Sequence, residues 1–255
     1  MITPLFAAAC GSLQGLADWS TDLVTDLFWK DCPPEERLPQ ERRAWIEQTV
    51  QRLAREAQIS RPVQVFESKE CYAAIARGGS GIWGGAPRII VQPEFVQKLS
   101  DETLEFVLAH EVSHLKNNDI VKISWLGTLV GAISAAVLAI FNPGFIPSIL
   151  SNPSRFNIGL CYFTAGSVSQ LISKVFYIRQ TESRADSEGF AFCSESGKRG
   201  AIPFFEHMRR ENIKQREGWF TRMTVTPDGE NLIDIGHPLI SRRIQDLVAL
   251  ARRAT

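Results

Sequence analysis

The five residues His110-Glu111-Val112-Ser113-His114 decide which fold and chemistry this sequence predicts. Two imidazoles four positions apart on a helix project from the same face, about 6 Å from each other, so both can bind one metal ion. The Glu between them lies at the edge of that face, where its carboxylate can take a proton from a metal-bound water. The pattern predicts a catalytic zinc helix rather than two histidines held by packing alone.

The residues around this motif indicate that it lies on a helix. Ser100 is a typical N-cap, and Asp101 and Glu102 are acids suited to the first turn. Apolar residues then recur at helical spacing, namely Leu104, Val107, Leu108, Val112 and Leu115. The motif therefore has the local structure that metal binding by both histidines requires.

A catalytic zinc site also needs a third protein ligand, and it leaves the fourth position open for water. His207, His237 and every carboxylate after the motif are candidates. The best is Glu182, because Asp186 follows it by one helical turn and could brace a ligand while Glu182 binds the metal. Taken alone, an acid pair at this spacing is more typical of a solvated helix face.

The order of several motifs along the chain resembles that of a known family. His110–His114 is followed by Leu115–Ile120, a long apolar stretch, Glu182–Asp186, and finally His237-Pro238 with Arg243-Ile244. This order resembles the HtpX and CAAX prenyl endopeptidase family of zinc metallopeptidases, over roughly residues 40 to 250. The resemblance implies a zinc site whose third ligand comes from the second motif.

Residue by residue, the resemblance implies Glu182 as the third ligand, Asp186 as the partner of a ligand, and Arg243 as a bracing residue near the site. His237 has two interpretations. Its side chain could stabilise the oxyanion of a tetrahedral intermediate as a catalytic residue, or it could simply precede a helix that Pro238 begins.

Composition narrows the class of protein. Lys plus Arg number 28 and Asp plus Glu number 28, and no basic stripe is interleaved with aromatic residues, so nucleic acid is not expected as a partner. The five cysteines show no CxxC pairing, which favours reduced thiols in a cytoplasm over a disulfide scaffold.

The predicted fold class is α+β and mostly helical: a zincin-type catalytic domain in which the active-site helix packs against a small sheet. Residues 1–39 are expected to form an N-terminal helical segment and residues 40–255 the metallopeptidase domain. Periodicity predicts a helix over Glu41–Ala57 and strands over Pro62–Phe66, Tyr72–Ala76 and Arg88–Val91. An edge strand of this sheet could hold an extended peptide substrate by main-chain hydrogen bonds.

Residues 119–178 are predicted to form an apolar helical hairpin inserted between the zinc motifs. Ile123–Phe141 is uncharged and would be about 28 Å long as a helix, close to the thickness of a bilayer core. Phe156–Ser173 is also uncharged but carries more polar residues. We expect a membrane hairpin in contact with lipid. The alternative is a helical hairpin that packs on a soluble domain as a lid.

The basic residues around this hairpin predict an orientation. Lys116 and Lys122 precede its first apolar arm, Lys174, Arg179 and Arg184 follow its second, and only Arg155 lies in the loop between the arms. Because basic residues stay on the cytoplasmic side, the zinc site is expected at the inner membrane and facing the cytoplasm.

The segment after the second motif is expected to contain a helix over Ala201–Arg210, a loop over Trp219–Asp234 and a closing helix over Pro238–Arg253.

The function predicted from the sequence is that of an endopeptidase with one Zn²⁺ per chain. His110, His114 and Glu182 are the expected ligands, and Glu111 is expected to deprotonate a water and then protonate the leaving amine. The resemblance implies misfolded or damaged membrane proteins as substrates, in quality control. The rival interpretations are a soluble zinc metallopeptidase and a zinc-stabilised membrane scaffold that does not cut its partners.

Overall fold

The computed structural model describes residues 33, 36–69, 73–78, 86–123, 125, 126, 129, 130, 133, 156–234 and 236–254, and of residues 156–171 it describes the backbone alone. Its elements in chain order are α1 (Gln40–Glu56), β1 (Gln64–Glu67), β2 (Ala74–Arg77), β3 (Arg88–Val91), α2 (Pro93–Lys98), α3 (Asp101–Asn117), α4 (Phe156–Phe192), α5 (Glu195–Lys214), α6 (Trp219–Thr224) and α7 (Ile240–Ala254). The predicted α+β class with mostly helical content is confirmed.

The small sheet has the strand order β1-β3-β2, so β2 lies at one edge. β1 runs parallel to β3, with Val65 opposite Ile89, whereas β2 runs antiparallel to β3, with Ala76 opposite Ile89. The central strand buries Ile89, Ile90 and Val91, as expected for a strand covered on both faces. The antiparallel edge strand packs against α3.

Helix α3 carries the HExxH motif through the middle of the core. The predicted N-cap is confirmed, because the side chain of Ser100 accepts a hydrogen bond from the backbone N–H of Thr103 at 3.3 Å. The helix ends at Asn118, which adopts the left-handed conformation with φ 52° and donates its backbone N–H to the last turn. Asn tolerates this conformation better than most residues, so the chain turns sharply just after the motif.

Close packing fixes α3 against its neighbours. Phe106 is fully buried and meets the ring of Phe205 on α5 edge to face, with ring centroids 5.9 Å apart. A Cβ atom placed on Gly189 of α4 would lie 2.9 Å from the backbone nitrogen of His110, and one on Gly200 of α5 would overlap the backbone of Glu102. Both glycines let a helix backbone approach α3 directly.

Three features of the C-terminal half were not predicted or differ from the sequence predictions. The predicted second hairpin arm and the Glu182 motif lie on one helix, Phe156–Phe192, a continuity that the sequence did not predict. The predicted loop over 219–234 begins with helix α6, whose first turn is stabilised by the hydroxyl of Thr221, an acceptor for the backbone N–H of Gly218 at 3.1 Å.

The closing helix begins at Ile240 rather than at Pro238. Its start is set by Glu230, whose carboxylate accepts the backbone N–H groups of Ile240 at 2.7 Å and Ser241 at 2.8 Å. This cap comes from ten residues away in the chain, so helical periodicity alone does not reveal it.

Trp29–Ile120 and Arg179–Thr255 form one compact unit, to which all of the site described below belongs, and Val121–Ile178 belongs to another. Among the residues that the structure describes, no helix combines the length and apolarity needed to cross a bilayer. Most of Ile123–Phe141 and residues 1–32 of the predicted N-terminal segment lie outside the described residues.

Candidate metal centre

Three donor side chains from two helices meet at one point of the structure. His110 and His114 project from the same face of α3, and their Nε2 atoms are 3.1 Å apart. Glu182 on α4 straddles this pair: its Oε2 atom lies 3.4 Å from Nε2 of His110 and its Oε1 atom 3.4 Å from Nε2 of His114. Within the described part of the chain, this is the one cluster of three that could hold a metal ion.

The orientation of both imidazole rings suits the binding of a metal ion. Nδ1 of His110 faces Oδ1 of Asp186 at 2.9 Å, and Nδ1 of His114 faces Oδ2 of Asp119 at 2.8 Å. A carboxylate accepts, so each imidazole donates its proton from Nδ1, which leaves both Nε2 lone pairs directed into the cluster. At separations of 3.1 to 3.4 Å, the Nε2 lone pairs and the Glu182 oxygens repel one another unless a proton or a metal cation lies between them.

The spacing of the donor atoms fits a small tetrahedral ion. Donors bound about 2.0–2.1 Å from zinc in tetrahedral geometry are about 3.3 Å from one another. The three separations of 3.1, 3.4 and 3.4 Å agree with that value. Two nitrogens and a carboxylate also form the donor set of a catalytic zinc site, in which a fourth position stays open.

Burial and hydrogen bonding shift the pKa values of both histidines. Burial lowers the pKa of His110, but hydrogen bonds with Asp186 and Glu182 outweigh it and raise the pKa to about 9. Burial acts likewise on His114, and hydrogen bonds with Asp119 and Glu182 raise its pKa to about 10. A site with this much negative charge attracts positive charge, whether as protons or as a metal cation.

Arg243 on α7 holds the outer side of the cluster. Its Nε and Nη2 atoms donate to the two oxygens of Asp186, each at 2.6 Å, and Nη2 lies 3.4 Å from Oε2 of Glu182. The guanidinium also stacks over the ring of Phe205, 4.4 Å from its centroid. This buried cation balances two buried carboxylates and fixes Asp186, which in turn fixes His110.

Glu111 lies beside the cluster with its carboxylate turned towards the sheet. Its Oε2 atom accepts the backbone N–H of Ala76, on edge strand β2, at 2.7 Å. Burial raises the pKa of the Glu111 carboxyl above its ordinary value. A carboxyl whose pKa moves upward is better suited to exchanging a proton near neutral pH.

His237 reaches the cluster from the loop before α7. Its Nε2 atom lies 3.6 Å from Oε2 of Glu182, and its Nδ1 atom is hydrogen-bonded to Oδ1 of Asp234 at 2.9 Å. That hydrogen bond raises the pKa of His237. The side chain is half exposed, as a group that meets a substrate must be. His207, the other candidate ligand on α5, does not take part in the cluster.

Three contributors to the site were not predicted from the sequence. Asp119 orients His114 and is itself paired with Arg184, and Asp234 orients His237. A signal for Asp119 existed, since a turn-forming Asn118 followed by an acid directly after a zinc helix can fold back onto the second histidine. Arg184 and Asp234 are single charged residues with no distinctive spacing from the histidines, so the sequence alone does not single them out.

This geometry agrees with the comparison of the chain with known families. The sequence profile of peptidase family M48 matches residues 40–251. The chain belongs to peptidase family M48. Membership makes this M48 chain a metallopeptidase, a hydrolase that cuts peptide bonds in peptides or proteins, and it confirms the resemblance found in the motifs.

Individual relatives support the same assignment. The M48 chain is 31% identical to a protein named Protease HtpX homolog from Persephonella marina, an alignment that covers 99% of this chain and 88% of that relative. It is 29% identical to a Protease HtpX of Stutzerimonas stutzeri, over 62% of this chain and 55% of that relative. A Protease HtpX of Pseudomonas aeruginosa is 26% identical over 82% of this chain and 73% of its own length.

Proposed function

We propose that this chain is a zinc-dependent endopeptidase in which His110, His114 and Glu182 hold one Zn²⁺. The observation that carries the proposal is the convergence of the two Nε2 atoms and the Glu182 carboxylate at separations of 3.1 to 3.4 Å. Carboxylates at both Nδ1 atoms orient the rings, and such partners are typical of zinc-binding histidines. Bound zinc would supply Lewis acidity, which lowers the pKa of a water and polarises a scissile carbonyl.

In this proposal Glu111 moves the proton. Its carboxylate accepts a proton from the attacking water and delivers it to the amide nitrogen as the C–N bond breaks, so the amine leaves neutral. The hydrogen bond from the N–H of Ala76 keeps this carboxylate next to β2. His237, oriented by Asp234, is placed to donate a hydrogen bond to the oxygen that becomes negative during the attack.

The edge strand offers a place for an extended substrate. The backbone N–H of Ala76 donates to Glu111, so it points away from β3. Along an antiparallel strand, the N–H and C=O groups of successive residues point alternately towards and away from the neighbouring strand. The carbonyl of Ala76 and the main chain of Ala74 therefore also point away from β3. A peptide that pairs with this edge would lie beside Glu111 whatever its sequence.

The proposal includes a membrane location with the site facing the cytoplasm and a role in protein quality control. The uncharged sequence Ile123–Phe141 and the basic residues outside both ends of the hairpin support this location. The quality-control role is what the resemblance of the motifs to the HtpX and CAAX prenyl endopeptidase family implies.

Zinc dependence of proteolysis tests the proposed function. The purified full chain, loaded with one zinc per chain, should cleave casein, lose that activity when a chelator removes the metal, and regain it on addition of zinc. Casein that stays intact with fully loaded protein would contradict the peptidase and favour a zinc-stabilised scaffold.

A further inference from the structure

A group of large apolar side chains lies exposed in the segment 219–239, which contains His237. Their exposed fractions lie between 47% and 75%, although each would contribute to stability if it were buried. We name this group the apolar margin, and it consists of Trp219, Phe220, Met223, Leu232, Ile233 and Leu239. Exposed apolar residues that are concentrated in one segment mark an interaction surface more often than scattered ones do.

The apolar margin has two halves, one on α6 and one in the loop that follows it, and main-chain hydrogen bonds join them. Val225 and Asn231 form an antiparallel bridge, and the N–H of Leu232 donates to the carbonyl of Thr224 at 2.8 Å. The end of α6 therefore lies beside Leu232. Met223 on that helix and Ile233 in the loop are each one residue from this hydrogen bond.

The same segment is anchored to α5. The side chain of Asn212 donates to the carbonyl of Gly229 at 2.9 Å, and Nε of Arg209 donates to the carbonyl of Asp228 at 2.8 Å. Gly229 has φ 85°, and a Cβ there would overlap the backbone of Arg209. The turn at Gly229 is thus held in one conformation, which lowers the conformational entropy that this segment would lose on binding a partner.

The apolar margin continues into the catalytic site. Leu232 and Ile233 directly precede Asp234, which holds His237, and Leu239 follows His237 by two residues. His237 itself lies 3.6 Å from Glu182. Leu232 is the farthest of these three from His237, at five residues, and five residues of extended chain span at most about 18 Å. The three side chains therefore belong to residues within about 18 Å of His237, a distance that a few residues of an extended peptide cover.

Charge argues for a peptide over a lipid surface as the occupant. The basic side chains of residues 214–234 are offset by acidic ones, so this surface has no excess of positive charge to attract anionic headgroups. Leaving out the buried Glu230, the members are Lys214, Arg216 and Arg222 against Glu217, Asp228 and Asp234.

We propose that the apolar margin is a substrate subsite that binds bulky apolar side chains of the peptide close to the cleaved bond. The inference rests on the proposed endopeptidase function and names what selects its cleavage sites: aliphatic and aromatic side chains of the substrate close to the cleaved bond. Main-chain pairing with β2 is independent of sequence, so selectivity comes from this second surface.

Two quenched-fluorescence peptides test the subsite. They are built on a casein cleavage site mapped by mass spectrometry and carry either Leu and Phe or Ser and Ala at the two residues on each side of the cut bond. Zinc-loaded wild type should cleave the apolar peptide with a kcat/KM about 10- to 100-fold higher. Leu232→Ser and Met223→Ser should each reduce this ratio several-fold, mainly by raising KM for the apolar peptide.

Ile213→Ser is the matched control, because Ile213 is similarly exposed but belongs to α5 rather than to the apolar margin. It should leave the ratio unchanged, and all three variants should keep the wild-type zinc content and Tm. Equal cleavage of both peptides by wild type, or an unchanged ratio in both margin variants, would overturn the subsite.

The other occupants of such a surface give different results. Margin variants that lose binding to phosphatidylglycerol vesicles, or that dissociate from an oligomer, at an unchanged peptide ratio would likewise overturn the proposal. Loaded wild type that cleaves neither peptide nor casein would instead contradict the proposed peptidase function itself.

Discussion

Each imidazole of the metal centre is fixed at Nδ1 by a carboxylate that is itself held by an arginine. Asp186 holds His110 and is paired with Arg243, and Asp119 holds His114 and is paired with Arg184. These carboxylates leave the Nε2 lone pairs free for a cation and increase the basicity of both rings. At the residue scale, therefore, loss of a ligand and loss of a brace should have effects of different size.

We expect Glu182→Ala to lower zinc occupancy far more than Asp186→Ala. The first substitution removes a coordinating oxygen, whereas the second removes the hydrogen bond that orients His110, and losses of that kind typically cost about 10- to 100-fold in affinity. Zinc content after dialysis against a weak chelator measures both. Near-stoichiometric zinc in the Glu182 variant would show that another group, such as His237, serves as third ligand.

Zinc affinity should rise with pH. The pKa values of His110 and His114 are raised to about 9 and about 10 in the metal-free site, so protons compete with the metal at neutral pH. Between pH 6.5 and 8.5 we expect the dissociation constant for zinc to fall, by about tenfold per pH unit for each proton displaced. Competition with a chromogenic chelator, corrected for its own protonation, measures this. A constant that does not vary with pH would refute the prediction.

At the scale of the elements, local patterns predicted much of what positions the site. The cap at Ser100, the helix carrying His110 and the third strand follow from nearby residues, and all three are present. The start of α7 depends on the carboxylate of Glu230, and the orientation of His114 depends on the fold-back of Asp119. Contacts of this kind arise only when the chain has folded, so periodicity could not supply them.

Gly200→Ala should destabilise the fold. The added methyl would overlap the backbone of Glu102 and force α5 away from α3, and such overpacking typically costs about 1–3 kcal/mol. Urea unfolding followed by circular dichroism measures the change. Gly218→Ala is a suitable control, because its Cβ would make only an ordinary contact, 3.4 Å from Thr221. Equal stability of both variants would contradict the close approach of α3 and α5.

At the scale of the whole molecule, the family and the site support a peptidase, whereas the proposed membrane location rests on a segment that lies largely outside the described residues. The full chain expressed in bacteria should sediment with membranes and resist carbonate extraction. Val130→Arg should weaken this retention, since an arginine near the midplane costs about 2.5–3.5 kcal/mol on insertion scales, and it should leave zinc content unchanged. Wild type recovered without detergent would favour the lid interpretation.

The central claim is that Glu111 is the proton carrier of a zinc peptidase, and the most direct measurement is casein cleavage by Glu111→Gln with zinc content determined on the same sample. The amide keeps the shape of the side chain but cannot take up the proton, so activity should fall by about 10² to 10⁴-fold at full zinc occupancy. Glu102→Gln, the same substitution on the first turn of α3, should cleave as wild type does. Wild-type activity in a zinc-loaded Glu111→Gln protein would contradict the account.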